Sequence, residues 1–180
     1  MPTDVRNADL IALLERGVER GPARWADLGA GEGAFTLALA ELLGPAAHIT
    51  AVDRDRGALR VLEQEAGKRS LGVDVQVGDF TKPLELDDLD GVVMANSLHF
   101  VRNKQPVLES VRGLLKPGGR LIVIEYSTDR GNPWVPHPFS FQTWQTMSAG
   151  AGFVGTELIG TVPSRHFGSM YSALSRKPAT

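Results

Sequence analysis

The chain has 180 residues, 42 % hydrophobic and 22 % charged, a composition suited to one soluble globular domain with a sizeable core. Its formal net charge of −2 leaves no electrostatic footprint for nucleic acid or an anionic membrane surface. The absence of cysteine excludes disulfides, thiolate metal sites and cysteine nucleophiles.

The opening run MPTDVRNADLIALLERGVERG does not read as a signal peptide, because Asp9, Glu15 and Arg16 interrupt its apolar residues. No stretch nears the roughly 20 apolar residues that span a bilayer. Both features, with the missing cysteines, suit a cytoplasmic protein. Leu10, Leu14 and Val18 recur at helical spacing and predict an amphipathic helix over about 7–19. A short buried strand, ARWADLG, runs into the glycines Gly29, Gly31 and Gly33, and a helix over 34–44 follows at once. A β-branched strand is expected at 48–55 and a helix at 56–70. An alternating strand is expected at 73–80. After a short irregular crossover at 80–88, an apolar strand runs over 89–101.

The stretch KQPVLESVRGLLKPGG predicts a helix stopped by Pro117-Gly118-Gly119. RLIVIEYS (120–127) is a nearly unbroken apolar strand, as in a parallel sheet buried on both faces. The pattern then changes to a Pro- and Gly-rich loop, STDRGNPWVPHP, and a helix in FSFQTWQTMSAGAG. Two strand-like runs, FVGTELIGTV and SMYSALSRK, are joined by PSRHFG as a hairpin. This order predicts a doubly wound α/β sheet in a single domain, 1–180. Its core spans 22–127, preceded by a helix or lid (1–21) and followed by a loop, helix and terminal hairpin (128–180).

Strand, glycine turn and helix form the context in which a backbone approaches a ligand closely. Asp53, closing the next strand, is placed to accept both hydroxyls of a ribose. Gly29, Gly31 and Ala34 satisfy G-x-G-x-x-[G/A], so a nicotinamide-dependent oxidoreductase is one reading. It lacks a Tyr-x-x-x-Lys pair, since Arg130 and Ser175 lie four places after Tyr126 and Tyr171. A non-catalytic cofactor-binding protein is another.

DLGAGEG, VDRD, VGDF, ANSLHF and LLKPGGRLIVIE occur in this order. Together they closely resemble the class I S-adenosylmethionine-dependent methyltransferases over about residues 22–126. The resemblance implies a mostly parallel seven-stranded sheet with helices on both faces and a C-terminal antiparallel hairpin. It implies S-adenosylmethionine as cofactor and S-adenosylhomocysteine as product. Gly29, Ala30 and Gly31 would lie under the methionine part, with Asp27 holding its amino group. Asp53 would bind the ribose, Arg54 would flank the adenine, and Asp79 and Phe80 would contact its ring. Asn96 would place its carbonyl near the amino group.

Methyl transfer is an in-line displacement in which positioning supplies much of the acceleration. An oxygen or nitrogen acceptor also calls for a base, and His99 is the candidate. Glu125, Tyr126, Trp134 and His137 are candidates for the acceptor pocket, with Phe139 as further wall and Phe141 and Trp144 as wall or core. No metal-ligand spacing is apparent. NSLH at 96–99 is not the N-P-P-[YF] tetrad of amino-base methylation, so a small-molecule acceptor is expected.

Overall fold

Leu121 to Ile124 are four consecutive strand residues with no exposed surface. Neighbours in a strand face opposite sides of the sheet, so such a run needs cover on both faces. The structure, a computed structural model, describes residues 6–180 and supplies that cover. The strands are β1 (Arg24–Leu28), β2 (His48–Asp53), β3 (Val73–Val77), β4 (Leu89–Ala95), β5 (Leu115–Tyr126), β6 (Val154–Ser164) and β7 (Gly168–Arg176). They form one sheet in the order β3-β2-β1-β4-β5-β7-β6. The first five run parallel, and β7 lies antiparallel between β5 and β6. This is the expected doubly wound sheet with its terminal hairpin.

The helices are α1 (Asn7–Leu14), α2 (Ala34–Leu43), α3 (Arg56–Lys68), α4 (Gln105–Leu114) and α5 (Phe141–Gly150). Leu121 and Val123 pack with Val107, Leu108 and Val111 of α4 and Trp144 of α5. Ile122 and Ile124 face the other way, onto Leu13 and Leu14 of α1 and Phe35 and Leu39 of α2. On β2, Ala51 meets Leu59 and Leu62 of α3.

Several boundaries differ from the sequence expectation. The first helix ends at Leu14 rather than near 19 and continues as a 3-10 turn over Glu15–Gly17. The chain there presses on the sheet: a Cβ on Gly17 would stand 2.6 Å from Ile122 Cδ1 and 2.8 Å from Ile159 Cδ1. α4 ends at Leu114, and Lys116-Pro117-Gly118-Gly119 opens β5 instead of closing the helix. An irregular register results, with Leu89 opposite Leu115 but Gly91 opposite Arg120. β4 stops at Ala95 instead of running to 101, because Asn96 turns to φ +51° and residues Leu98–Phe100 form a 3-10 turn.

Candidate active site

The sheet order reverses between β1 and β4, and an open α/β sheet binds ligands at such a point, beyond the strands' C-terminal ends. The glycine turn leaves β1 at this place. Gly29, Gly31 and Gly33 all have φ between +56° and +86°. Their surroundings differ. A Cβ on Gly29 would overlap the side chain of Ser97, whose hydroxyl donates to the Leu28 carbonyl at 2.8 Å. One on Gly33 would overlap Leu62 of α3. One on Gly31 would meet nothing within 4 Å. Two glycines are therefore required by packing, and the middle one borders open space. Gly29→Ala and Gly33→Ala are each expected to destabilise the fold by about 2–4 kcal/mol, combining overpacking and left-handed strain. Gly31→Ala should cost only the strain, about 1–2 kcal/mol. Urea denaturation of the three variants separates these outcomes.

Asp53 ends β2 and braces the turn: Oδ2 accepts from Gly31 N–H and Oδ1 from Asp55 N–H, both at 2.8 Å. Asp55 caps α3, accepting from Gly57 and Ala58 N–H. Asp79 follows β3, and its Oδ1 accepts from the amide and hydroxyl of Thr81. Those bonds, with Arg54 and Lys82 nearby, hold its carboxyl below the usual range. Phe80 sits against the glycine turn, its ring 3.3 Å from where a Gly29 Cβ would stand. Arg54 is exposed. Asn96 donates its amide N–H to the Ile124 carbonyl, and its Oδ1 is buried without a partner.

Asp27 lies at the end of β1 with almost no exposed surface. Oδ2 accepts from the Thr36 hydroxyl at 2.6 Å, and Oδ1 has no partner. Burial pushes its pKa up to about 7, against the Thr36 bond and with help from the Asp53 charge. The folded protein thus holds this proton more tightly than the unfolded chain. The stability gained from this is complete below the unfolded pKa and is lost as pH rises through about 7. Asp27→Asn removes the dependence. The variant should gain on the parent, by on the order of a few kcal/mol, between pH 5 and pH 8.5. Urea titrations at the two pH values, without cofactor, check this.

His99 and Glu125 meet where β4 and β5 end side by side. His99 sits in the 3-10 turn at 3 % exposure, and Glu125 has none. The two are joined twice: His99 Nδ1 lies 2.8 Å from Glu125 Oε2, and the His99 amide donates to Oε1 at 3.1 Å. Glu125 therefore lies behind His99 rather than on a pocket wall. The His99 ring lies 4.3 Å from that of Phe100, which is 60 % exposed, and 6.1 Å from that of Tyr126. Tyr126 in turn stacks near Phe167 of the β6–β7 turn. In the 128–140 loop Trp134 is 69 % exposed and His137 half-buried, the latter giving its N–H to the His99 carbonyl. Phe139 is core rather than the expected pocket wall, at 1 % exposure, and of the two readings for Trp144 the core one holds, at 0 %. Phe141 packs partly against the same core.

Sequence reasoning missed the pairing of His99 with Glu125. Its one signal is a glutamate ending an otherwise apolar run, LIVIE. Ser97 and Lys104 gave none. Among the described residues, no group of three or more histidines and acids is placed to hold a metal ion. No helix among them is long and apolar enough to cross a membrane.

The donor set fits S-adenosylmethionine. Two buried acceptors without partners, Asp27 Oδ1 and Asn96 Oδ1, stand at the ends of adjacent strands and suit an amino group. The open space over Gly31 leaves room for a backbone-hugging ligand, and Asp53 stands at the neighbouring strand end.

Comparison with known proteins agrees. The family model of a methyltransferase domain matches residues 23–162. The ubiquinone/menaquinone biosynthesis C-methyltransferase UbiE of Pasteurella multocida is 34 % identical over 116 residues, covering 62 % of this chain and 42 % of that protein. The chain spans about half or less of the length of the curated relatives it matches. The YcgJ protein of Bacillus subtilis superposes with a TM-score of 0.77 at 14 % identity, covering 96 % of this chain and 99 % of its own. The [4+2]-cyclase SpnF does so with 0.79 at 19 %, covering 97 % and 81 %. Both show the shared fold. With a glycine turn, strand-end acids and orphaned acceptors suited to its cofactor, and with a family match over most of its length, the chain belongs to the class I S-adenosylmethionine-dependent methyltransferases.

Proposed function

We propose that this chain methylates a small molecule at a carbon made acidic by its neighbours, with His99 as the base. One observation carries this reading: the 2.8 Å contact of His99 Nδ1 with Glu125 Oε2, buried at the ligand-binding end of the sheet. A carboxylate behind one ring nitrogen fixes the tautomer, so that Nδ1 carries the hydrogen and Nε2 is left as acceptor. A neutral imidazole then takes a proton from the acceptor at Nε2, and Glu125 steadies the positive charge that forms. S-adenosylmethionine supplies, when bound, a methyl carbon made electrophilic by its sulfonium. The proton taken from the acceptor stays on His99 Nε2 until solvent removes it.

Asp27, Gly29, Ala30, Gly31 and Asn96 are the residues proposed to hold the methionine part of the cofactor. Asp53 takes the ribose, and Arg54, Asp79 and Phe80 take the adenine. Tyr126, Trp134 and His137 border the acceptor, with Glu125 acting through His99. The name of the Pasteurella relative, a C-methyltransferase, supports carbon as the target. The near-neutral charge supports a small molecule over a nucleic acid.

The test is a panel of acceptors offered with methyl-labelled cofactor: an acetoacetyl thioester, a substituted hydroquinone, a phenol, an amine and a thiol. Carbon methylation of either of the first two, slowed at least about a hundredfold in His99→Gln, is the expected result. Turnover confined to the phenol, amine or thiol would move the reaction to another atom.

A further inference from the structure

Lys104 stands in a costly position. It occupies the N-cap of α4, where the helix dipole disfavours a cation and where Ser, Asp or Asn is the usual residue. Its side chain is also buried, at 8 % exposure. What it gains lies on other elements. Nζ donates to the Val101 carbonyl at 2.8 Å, beside the 3-10 turn, and to the His137 carbonyl at 2.9 Å, in the 128–140 loop. It lies 5.2 Å from the centre of the Phe139 ring, on that same loop. Between these contacts His137 N–H donates to the His99 carbonyl at 3.0 Å. One ammonium thus bonds both the segment that carries His99 and the loop that faces it.

We propose that Lys104 is a positioning residue: its ammonium clamps the 128–140 loop onto the His99 turn. Its meaning for catalysis rests on the dyad reading above, but the clamp itself does not. Burial holds the Lys104 ammonium below the ordinary lysine range, and Glu125 opposes that shift. The loop is therefore held most firmly while Lys104 is charged; the neutral amine keeps two N–H donors but loses the charge that strengthens both carbonyl bonds and the contact with the Phe139 ring. The other ionisable groups tied to these contacts are His99, which is bonded to Glu125, His137, whose carbonyl Lys104 holds, and Tyr171 on β7. The Tyr171 hydroxyl holds the Phe139 carbonyl at 2.8 Å. Burial pushes its pKa far above the usual tyrosine range, so it keeps its proton throughout the window of interest.

Amide hydrogen exchange of peptides covering 131–141 tests the clamp without an acceptor, once corrected for the intrinsic effect of pH. At pH 7, Lys104→Met should lose protection in this loop by about tenfold or more, while β1 and β2 peptides stay as in the parent. Lys104→Arg keeps the charge and should restore much of the protection. In the parent, protection should fall at alkaline pH before ordinary lysines titrate. In Lys104→Arg it should persist, and in Glu125→Gln it should fall at a lower pH than in the parent. The arginine variant and the parent's own pH course stand even if Lys104→Met does not fold. Parent protection that is flat through alkaline pH, or that matches Lys104→Met at pH 7, overturns the clamp. Full turnover of His99→Gln would instead remove the dyad reading and leave these loop measurements untouched.

Discussion

Asp53→Ala is expected to weaken S-adenosylhomocysteine binding by one to two orders of magnitude. The ribose bonds proposed for this charged carboxylate are together worth about 1.5–3 kcal/mol. The structure adds a second cost. Asp53 Oδ2 already holds the Gly31 N–H, so its loss frees the turn on which the methionine part would lie. Asp53→Asn retains one acceptor oxygen and should fall between alanine and the parent. Calorimetric titration of the three proteins gives the answer. Parent affinity in Asp53→Ala would take the residue out of the cofactor site and leave it as a brace for the glycine turn.

The second large effect is at His99. His99→Gln should slow methyl transfer to a carbon acid by about 10²–10⁴-fold, the usual share of a positioned general base, and leave cofactor affinity within the error of the titration. Glutamine is chosen over alanine for a physical reason. Removing one member of a buried pair leaves the other uncompensated, which costs about 3–5 kcal/mol, and an amide retains a donor for Glu125. Glu125→Gln keeps a group within hydrogen-bonding distance of Nδ1 but removes the charge that steadies the imidazolium. It should therefore slow the reaction less than His99→Gln does. Parent turnover in both variants would return the pair to packing.

The glycine turn, the strand-end acids and the alternation of strands with helices were legible because each is a local pattern. A glycine-rich turn between an apolar run and a helix has few uses. The periods of the apolar residues follow from backbone geometry alone. The same locality explains the misjudged ends. Lys116-Pro117-Gly118-Gly119 carries helix-stop chemistry, yet pairing with β4 draws Leu115 and the residues after it into β5. Residues 96–101 carry a strand-like composition, yet Asn96 turns the chain out of the sheet.

By itself the sequence determined the sheet class, and its resemblance to the methyltransferases carried the cofactor, since both rest on residue types at short spacings. The tertiary structure alone decided which of the strand-end residues act together. His99 and Glu125 are 26 residues apart and meet only because β4 and β5 are neighbours in register. Asp27 and Asp53 are both aspartates at strand ends. Only burial separates them: the carboxyl of Asp27 is pushed up to about 7 and left with an oxygen in want of a donor, while Asp53 is half-buried and braced by backbone N–H groups. Solvation and long-range contact are properties of the packed chain, and no local pattern carries them.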